Sequence, residues 1–411
     1  MVQSQLPGGI LFTNGNRNFT LKSCGDTWQD ELRIRNAVSS DGWVHAENEM
    51  MTDPDFVTFL EDVPSAPVES LGPKFASMFN NKVRITMPGY TSASTETNFP
   101  MLVRLSRGNP RSFDPASCGD NGDGLRFFDS EGNLLPHEID EWNPDGESLV
   151  WVLVPELNAD AVVTMCWNPR PGGAIPALDP GLVWFRAGYK AVWHFASTGA
   201  TMPSSAFGTM PMSPTDVAAA SNVVGVVGRA LSKGTVVSSP NYYAHNVSGS
   251  GPYSVSFWMK IPNLTNSVQF DLVRKAAWSS QNNAWNGWIF ECNKNVLRPL
   301  VGFSANYKNV AQDVDVRQWH YYAFSYESNT PRFYHDGTYL ALATGTVPAY
   351  SGEFSLDHPS NSSITEQFDE IRVRAATTTS ARQNVERANM TDLSFLAFEV
   401  QNDPGFMLIV R

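Results

Sequence analysis

Apolar and polar positions alternate with a period of two along most of the chain from residue 76 onward. Val83-Arg84-Ile85-Thr86-Met87 and Met101-Leu102-Val103-Arg104-Leu105 carry the pattern, as does His137-Glu138-Ile139-Asp140. Successive side chains of a strand point to opposite faces, so each run predicts a half-buried β-strand. Leu149-Val150-Trp151-Val152-Leu153-Val154 differs, being almost continuously apolar, and predicts a strand covered on both faces. With Leu125-Arg126-Phe127-Phe128 and Val162 to Trp167, these runs predict a small sandwich over residues 76–170. A Pro/Gly cluster from Pro169 to Pro180 then predicts a linker over residues 171–184. A second strand series fills residues 185–400. It includes Val192-Trp193-His194-Phe195, Val255 to Met259, Trp288 to Glu291, Trp319 to Phe324 and Arg332 to His335, the last closed by the hairpin turn Asp336-Gly337. Trp288 alternates within its strand and is expected in the core.

Residues 1–60 predict strands around Ile10-Leu11-Phe12 and Glu31 to Arg35, then a short helix from a Ser39-Ser40-Asp41 cap to Met50. Such a piece cannot bury a core alone. Residues 61–75, with Pro64, Pro67 and Pro73, read as a linker, and residues 401–411 as the start of a further linker or strand. Residues 30–59 repeat residues 369–398 without a gap, with 11 of 30 positions identical and an offset of 339 residues. The identities include Asp30/Asp369, Glu31/Glu370, Arg33/Arg372, Arg35/Arg374, Glu47/Glu386 and Met51-Thr52-Asp53/Met390-Thr391-Asp392. That period is too long for a solenoid and points to tandem domain pairs. The expectation is that residues 1–60 are the C-terminal part of a preceding domain, with the natural start upstream. The alternative is a true start whose residues 1–60 dock on another domain or chain.

Composition narrows the function classes. Charged residues are 17% of the chain and the net charge is −12. With no basic clusters to neutralise phosphates, nucleic acid is disfavoured, as is an anionic membrane surface. No apolar run approaches the roughly 20 residues of a spanning helix, so no membrane insertion is expected. The N-terminus lacks the charged and apolar regions of a signal peptide. Cys24, Cys118, Cys166 and Cys292 show no metal-type spacing; Cys118 and Cys166 fall in one expected domain and are the favoured pair if a disulfide forms, with free buried thiols the alternative.

Three parts of the chain resemble known families. Ala191-Val192-Trp193-His194-Phe195, Ser256-Phe257-Trp258-Met259-Lys260, Trp319 to Tyr326, Phe333 to Gly337 and Phe368 to Val373 together resemble a LamG, or concanavalin A-like lectin/glucanase, domain over residues 185–400. Phe99 to Leu105, Asp123 to Asp129, Leu135 to Asp140 and Glu147 to Val152 resemble the domain of unknown function DUF2341 over residues 76–170. Residues 10–59 resemble the tail of a preceding LamG-like domain. The resemblance implies an all-β fold of two successive β-sandwiches, the second a concanavalin A-like jelly roll. It also implies an extracellular or cell-surface setting in a repetitive multidomain protein.

Few residues suggest chemistry. Trp278 and Trp285, with Asn282 and Asn283, lie in a polar stretch where indoles can stack on a sugar face while amides bond its hydroxyls. The alternative is that both rings belong to the core. Related concanavalin-type folds place an aspartate at the start of the last long strand, which makes Asp369 the candidate ligand for a structural Ca²⁺; its alternatives are an ion pair with Arg372 or Arg374, or capping of a turn. Glu138 and Asp140 share one strand face, as a glycosidase pair would, but Asn143 stands where a laminarinase-type motif needs a third carboxylate, and a solvated face is expected. His194 and His320 are read as structural histidines. No zinc-hydrolase or serine-hydrolase motif is present. The expectation is a non-catalytic module that binds an extracellular glycan or surface protein. The alternatives are a purely structural spacer and a glycoside hydrolase.

Overall fold

A computed structural model describes residues 78–171, 179–196, 204–206, 220–233, 242–244, 252–264, 269–279, 284–293, 296–301, 315–327, 330–340, 354–356 and 365–399. The elements expected in residues 1–60 and 401–411 lie outside these, as does the 61–75 linker. All described residues belong to one unit, Ala66–Arg411.

The N-terminal part supplies β1 (Phe79–Thr86), β2 (Glu96–Ser106), β3 (Arg126–Phe128), β4 (Leu134–Leu135), β5 (His137–Glu141), β6 (Glu147–Leu157) and β7 (Val162–Pro169). A short helix α1 (Leu182–Arg186) precedes β8 (Tyr189–Trp193), β9 (Ala220–Val224), β10 (Arg229–Lys233), β11 (Tyr242–Ala244) and β12 (Tyr253–Lys260). Then come β13 (Gln269–Ser279), β14 (Ala284–Asn293), β15 (Val296–Val301), β16 (His320–Glu327), β17 (Thr330–His335), β18 (Thr338–Leu340), β19 (Phe354–Leu356) and β20 (Gln367–Arg374). Helix α2 (Ser380–Thr391) and β21 (Ala397–Glu399) end the described chain. The fold is all-β, as the alternation predicts.

These strands form four sheets stacked as layers. The first has the order β21-β1-β7-β3-β4 and the second β2-β6-β5. The third, of eight strands, runs β18-β17-β16-β12-β20-β10-β9 with β8 also on β20, and the fourth β11-β19-β13-β14-β15. Three buried interiors separate them. Val83, Phe99, Val103, Val150, Val152 and Met165 fill the first. Leu102, Leu149, Trp151, Leu153, Trp258 and Tyr321 fill the middle one, called the seam below. Phe257, Trp288, Phe290, Tyr322, Phe324 and Phe333 fill the third.

Strand β6 shows how the sequence builds this stack. Leu149, Trp151 and Leu153 enter the seam while Val150, Val152 and Val154 enter the first interior. The unbroken apolar run thus reflects burial on both faces, as expected from the sequence. Trp288 is buried in the third interior, its Nε1 donating to the Tyr253 hydroxyl at 2.9 Å.

After β20 the chain returns to the first sandwich. Thr379 caps α2, its hydroxyl accepting from the Arg382 amide. Strand β21 then pairs antiparallel with β1, Phe398 opposite Ile85. Helix α2 covers β2, an edge strand of its sheet: Asn389 Oδ1 accepts from the Leu102 amide at 2.9 Å. Among the described residues no helix is long and apolar enough to cross a membrane.

Cys118 and Cys166, the pair favoured for a disulfide, are both free in the structure. Burial pushes both thiols up to about 12.

Candidate functional site

The hairpin β13–β14 carries the candidate glycan residues. Its register sets Trp278 opposite Trp285 and Ser279 opposite Ala284, at the end joined by residues 280–283. Asn282 and Asn283 lie in that connection, outside the described residues.

Asp369 sits at the start of β20. Its Oδ2 accepts from the Val226 and Val227 amides at 2.7 and 2.9 Å, which caps the turn between β9 and β10. Turn capping was one of the alternatives to calcium ligation. The fit is close: a Cβ on Gly225 would stand 2.5 Å from the same oxygen. Burial and the charge of Glu370 hold the Asp369 carboxyl well above the usual range, against those amide bonds. Ca²⁺ takes about six to eight oxygen ligands; around Asp369 the donors in hand are amide hydrogens, and Oδ1 makes no hydrogen bond.

The seam holds a polar cluster that sequence reasoning missed. Strand β20 departs from regular alternation at Glu370, where φ is +50° and the register against β12 shifts. Such a bulge re-aims side chains. Phe368, Ile371 and Val373 keep to the third interior, while Glu370 and Arg372 meet in the seam. Arg372 Nε and an Nη donate to Glu370 Oε2 at 3.0 and 2.5 Å, and the guanidinium lies 4.4 Å from the Trp151 ring. From β8, alternation sends Trp193 into the third interior and His194 into the seam. His194 Nδ1 is 2.6 Å from Glu370 Oε1 and 3.7 Å from Asp140 Oδ2; its Nε2 is 3.5 Å from Glu138 Oε2.

The first sandwich supplies the other half. Glu138 and Asp140, expected on a solvated face, turn toward the seam, because the eight-stranded sheet covers that side of β5. Glu138 accepts from the Trp184 indole, and Asp140 from Trp151 Nε1 at 3.4 Å. Trp184 is fully buried and arrives on α1, within the stretch expected to be only a linker.

Burial opposes a charge on His194, but Asp140, Glu370 and Glu138 outweigh it and raise its pKa well above the usual histidine range. Burial likewise opposes ionisation of Glu370, and His194 and Arg372 outweigh it and hold it low. Burial pushes Asp140 up to about 6, opposed by His194 and reinforced by the Glu370 and Glu138 carboxylates.

Helix α2 adds a second polar node. Glu386 Oε1 accepts from Arg382 Nε at 2.8 Å and the Tyr189 hydroxyl at 3.0 Å, and its Oε2 from the Tyr321 hydroxyl at 2.7 Å. Arg382 also reaches Glu96 of β2 at 3.0 Å. The two nodes join the sandwiches through paired buried charges. Among the described residues the centres of both nodes are closed to solvent: Asp140 is 6% exposed at its side chain, Glu370 0% and Glu386 2%. Asp140, His194 and Glu370 have the spacing of a metal site, but Arg372 already places a positive charge on Glu370.

Residues 231–373 match the concanavalin A-like lectin/glucanases superfamily, of the laminin G type. No curated protein matches the chain. Among solved structures, the chain is similar to the binding domain of botulinum neurotoxin DC in complex with SialylT, at 9% identity and a TM-score of 0.40, covering 49% of this chain and 52% of that one. It is similar to the binding domain of Paraclostridial Mosquitocidal Protein 1, at 10% identity and a TM-score of 0.38, with 49% and 52% covered. Domain 4 of AbnA, a GH43 extracellular arabinanase from Geobacillus stearothermophilus in complex with arabinotriose, matches at 17% identity and a TM-score of 0.37, with 48% of this chain and 96% of that one covered. The chain spans about half the length of the toxin binding domains it matches.

Proposed function

We propose that this chain is a non-catalytic module of an extracellular or cell-surface protein, and that its concanavalin-type sandwich binds a glycan at the β13–β14 hairpin. The observation that carries the reading is the register of that hairpin. Trp288 and Phe290 occupy the core-facing parity of β14. Pairing runs without a shift from Trp288 to Trp285, so position 285 falls on the opposite parity, together with its partner position 278. Two tryptophan positions paired at the tip of the hairpin, on the parity opposite Trp288 and Phe290, suit a stacking platform for a sugar, one confined to the tip because Ile289 on the same parity is buried. Asn282 and Asn283 are the hydroxyl-binding candidates beside them. Ca²⁺ is carried in this reading only through Asp369, and the experiment below includes it.

A second reading has its own support. Of the identities shared by residues 30–59 and 369–398, Asp369, Glu370, Arg372, Glu386 and Met390 all line the seam. A repeat that conserves interdomain contacts is what a chain-extending spacer built from DUF2341–LamG pairs needs.

The deciding experiment is a glycan array with the whole chain, run with Ca²⁺ and with chelator. Saturable binding that disappears in Trp278→Ala or Trp285→Ala supports the lectin reading, and loss on chelation adds the metal. A blank array in both arms overturns it for the glycans tested and leaves the spacer.

A further inference from the structure

We propose that His320, His335 and Asp336 form a binding site for a borderline divalent cation of the Zn²⁺ class, at the β16–β17–β18 rim of the eight-stranded sheet. This site is separate from the glycan hairpin and from the seam.

The turn chemistry assembles it. Asp336 and Gly337 both have positive φ, +47° and +80°, and His335 pairs with Thr338 across this two-residue loop. That is the geometry of the tight hairpin turn for which Asp-Gly is suited. The turn folds back on β16: the Asp336 amide donates to the Tyr321 carbonyl at 2.7 Å, and Asp336 Oδ1 accepts from the Tyr321 amide at 2.9 Å. His335 lies opposite Tyr322 in the register, with His320 two residues before it.

Three donor atoms therefore converge. His320 Nδ1 is 2.7 Å from Asp336 Oδ2, His335 Nε2 is 3.1 Å from His320 Nδ1, and His335 Nε2 is 3.4 Å from Asp336 Oδ2. Metal–ligand bonds of 2.0–2.1 Å in a tetrahedron require donors about 3.3 Å apart. The observed triangle is that face of the tetrahedron, drawn in slightly along the His320–Asp336 edge by a hydrogen bond. Two imidazole nitrogens with one carboxylate oxygen suit Zn²⁺, Co²⁺ or Ni²⁺, and nitrogen donors argue against Ca²⁺ or Mg²⁺.

The surroundings hold the ligands in place. The Tyr321 amide occupies Oδ1, and Arg387 Nε stands 3.5 Å from the same oxygen, which leaves Oδ2 for the cation. The His335 ring stacks on Tyr322, with centroids 5.2 Å apart. Such contacts around the ligands fix their orientation and raise affinity. The side chains of His320, His335 and Asp336 are 20%, 13% and 25% exposed, so solvent reaches the cluster.

The test uses the whole chain. Zn²⁺ titration by calorimetry should give saturable binding, and Co²⁺ should give the visible absorption of a tetrahedral site. His335→Gln, and Asp336→Asn, which keeps the positive-φ turn, should each weaken Zn²⁺ binding by about a hundredfold. In the unsubstituted protein, added Zn²⁺ should shift the imidazole ¹⁵N resonances of His320 and His335 but not those of His137 and His194. Absence of saturable binding, or Zn²⁺ affinity unchanged in both variants with no shift at His320 and His335, would overturn the site and leave a His–Asp hydrogen bond closing the hairpin.

Discussion

Strand β5 has one face in each of two interiors, and the interiors treat a histidine in opposite ways. His137 and Ile139 face the first sandwich, where the His137 ring packs edge-on against Phe127, 5.1 Å away. Burial, with the Arg126 charge adding to it, pushes His137 down to about 3. Glu138 and Asp140 face the seam, where they help keep His194 protonated. Both histidines are buried, so burial alone does not decide protonation. The carboxylates across the interface decide it. Desolvation offsets most of the Coulomb gain of a buried ion pair, so the charges of the seam add little net stability to its apolar packing. It adds selectivity instead, because any other docking of the two sandwiches leaves a bare charge out of water.

The largest test of this comparison is pH. His137 has a depressed folded pKa, so its contribution is complete above its unfolded value near 6.5 and is lost as pH falls toward about 3. That loss is on the order of 4–5 kcal/mol. His194 has a raised folded pKa, so its contribution is complete below about 6.5 and is lost as pH rises through the folded value. Urea unfolding across the pH range should show His137→Gln flattening the acid limb and His194→Gln flattening the alkaline limb. Equal behaviour of the two variants would break the comparison.

Next in size is the charge pairing itself. Glu370→Gln leaves Arg372 buried without its hydrogen-bonded anion, takes one of three carboxylates from His194, and should cost about 3–5 kcal/mol. Replacing Glu370, Arg372 and His194 together with apolar residues of similar volume should recover part of that loss, since of the cluster's charges only the Asp140 and Glu138 carboxylates remain. In the third interior Phe324→Ala should cost about as much, through a cavity, and no charge-removing partner substitution would rescue it. Equilibrium unfolding measures all three, and a triple variant as weak as the single one would mean the seam depends on shape rather than on paired charge.

Asn389 gives a smaller effect at the same interface. Asn389→Leu removes the acceptor from the buried Leu102 amide on the edge of β2 and should cost about 1–3 kcal/mol. Hydrogen exchange localises the effect: the Leu102 amide should lose protection before its neighbours on β6.

How much of this was legible in the sequence follows from what one strand can reveal. The apolar run of β6 states its own two-sided burial, because both parities are apolar. The β5 pattern states only that its faces differ. It does not say that a second sheet covers the polar one, so Glu138 and Asp140 read as solvated. The bulge at Glu370 is silent too, since a shift of parity cannot be read from polar residues that alternate with apolar ones on either side. Trp184 was hidden among prolines and glycines that mark a linker. The repeat did carry a signal. Its identities at Glu370, Arg372 and Glu386 are charged residues retained within β-strand and helix patterns, and charge retained there points to pairing rather than to solvent.

The smallest effect is expected at the rim of the seam, and it separates depth from charge. Arg104 and Glu147 form an ion pair at 2.6 Å, with side-chain exposures of 19% and 49%. Arg104 also donates to the Met390 carbonyl at 2.9 Å and the Val226 carbonyl at 3.2 Å. Glu147→Gln is the same chemical change as Glu370→Gln, yet Arg104 keeps both carbonyl acceptors and water takes the place of the lost carboxylate. The expected cost is no more than about 0.5 kcal/mol and should vanish at high salt. A cost approaching that of Glu370→Gln in urea unfolding would mean that the seam is electrostatically tight out to its edge, and that the contrast between its buried centre and its wet rim does not hold.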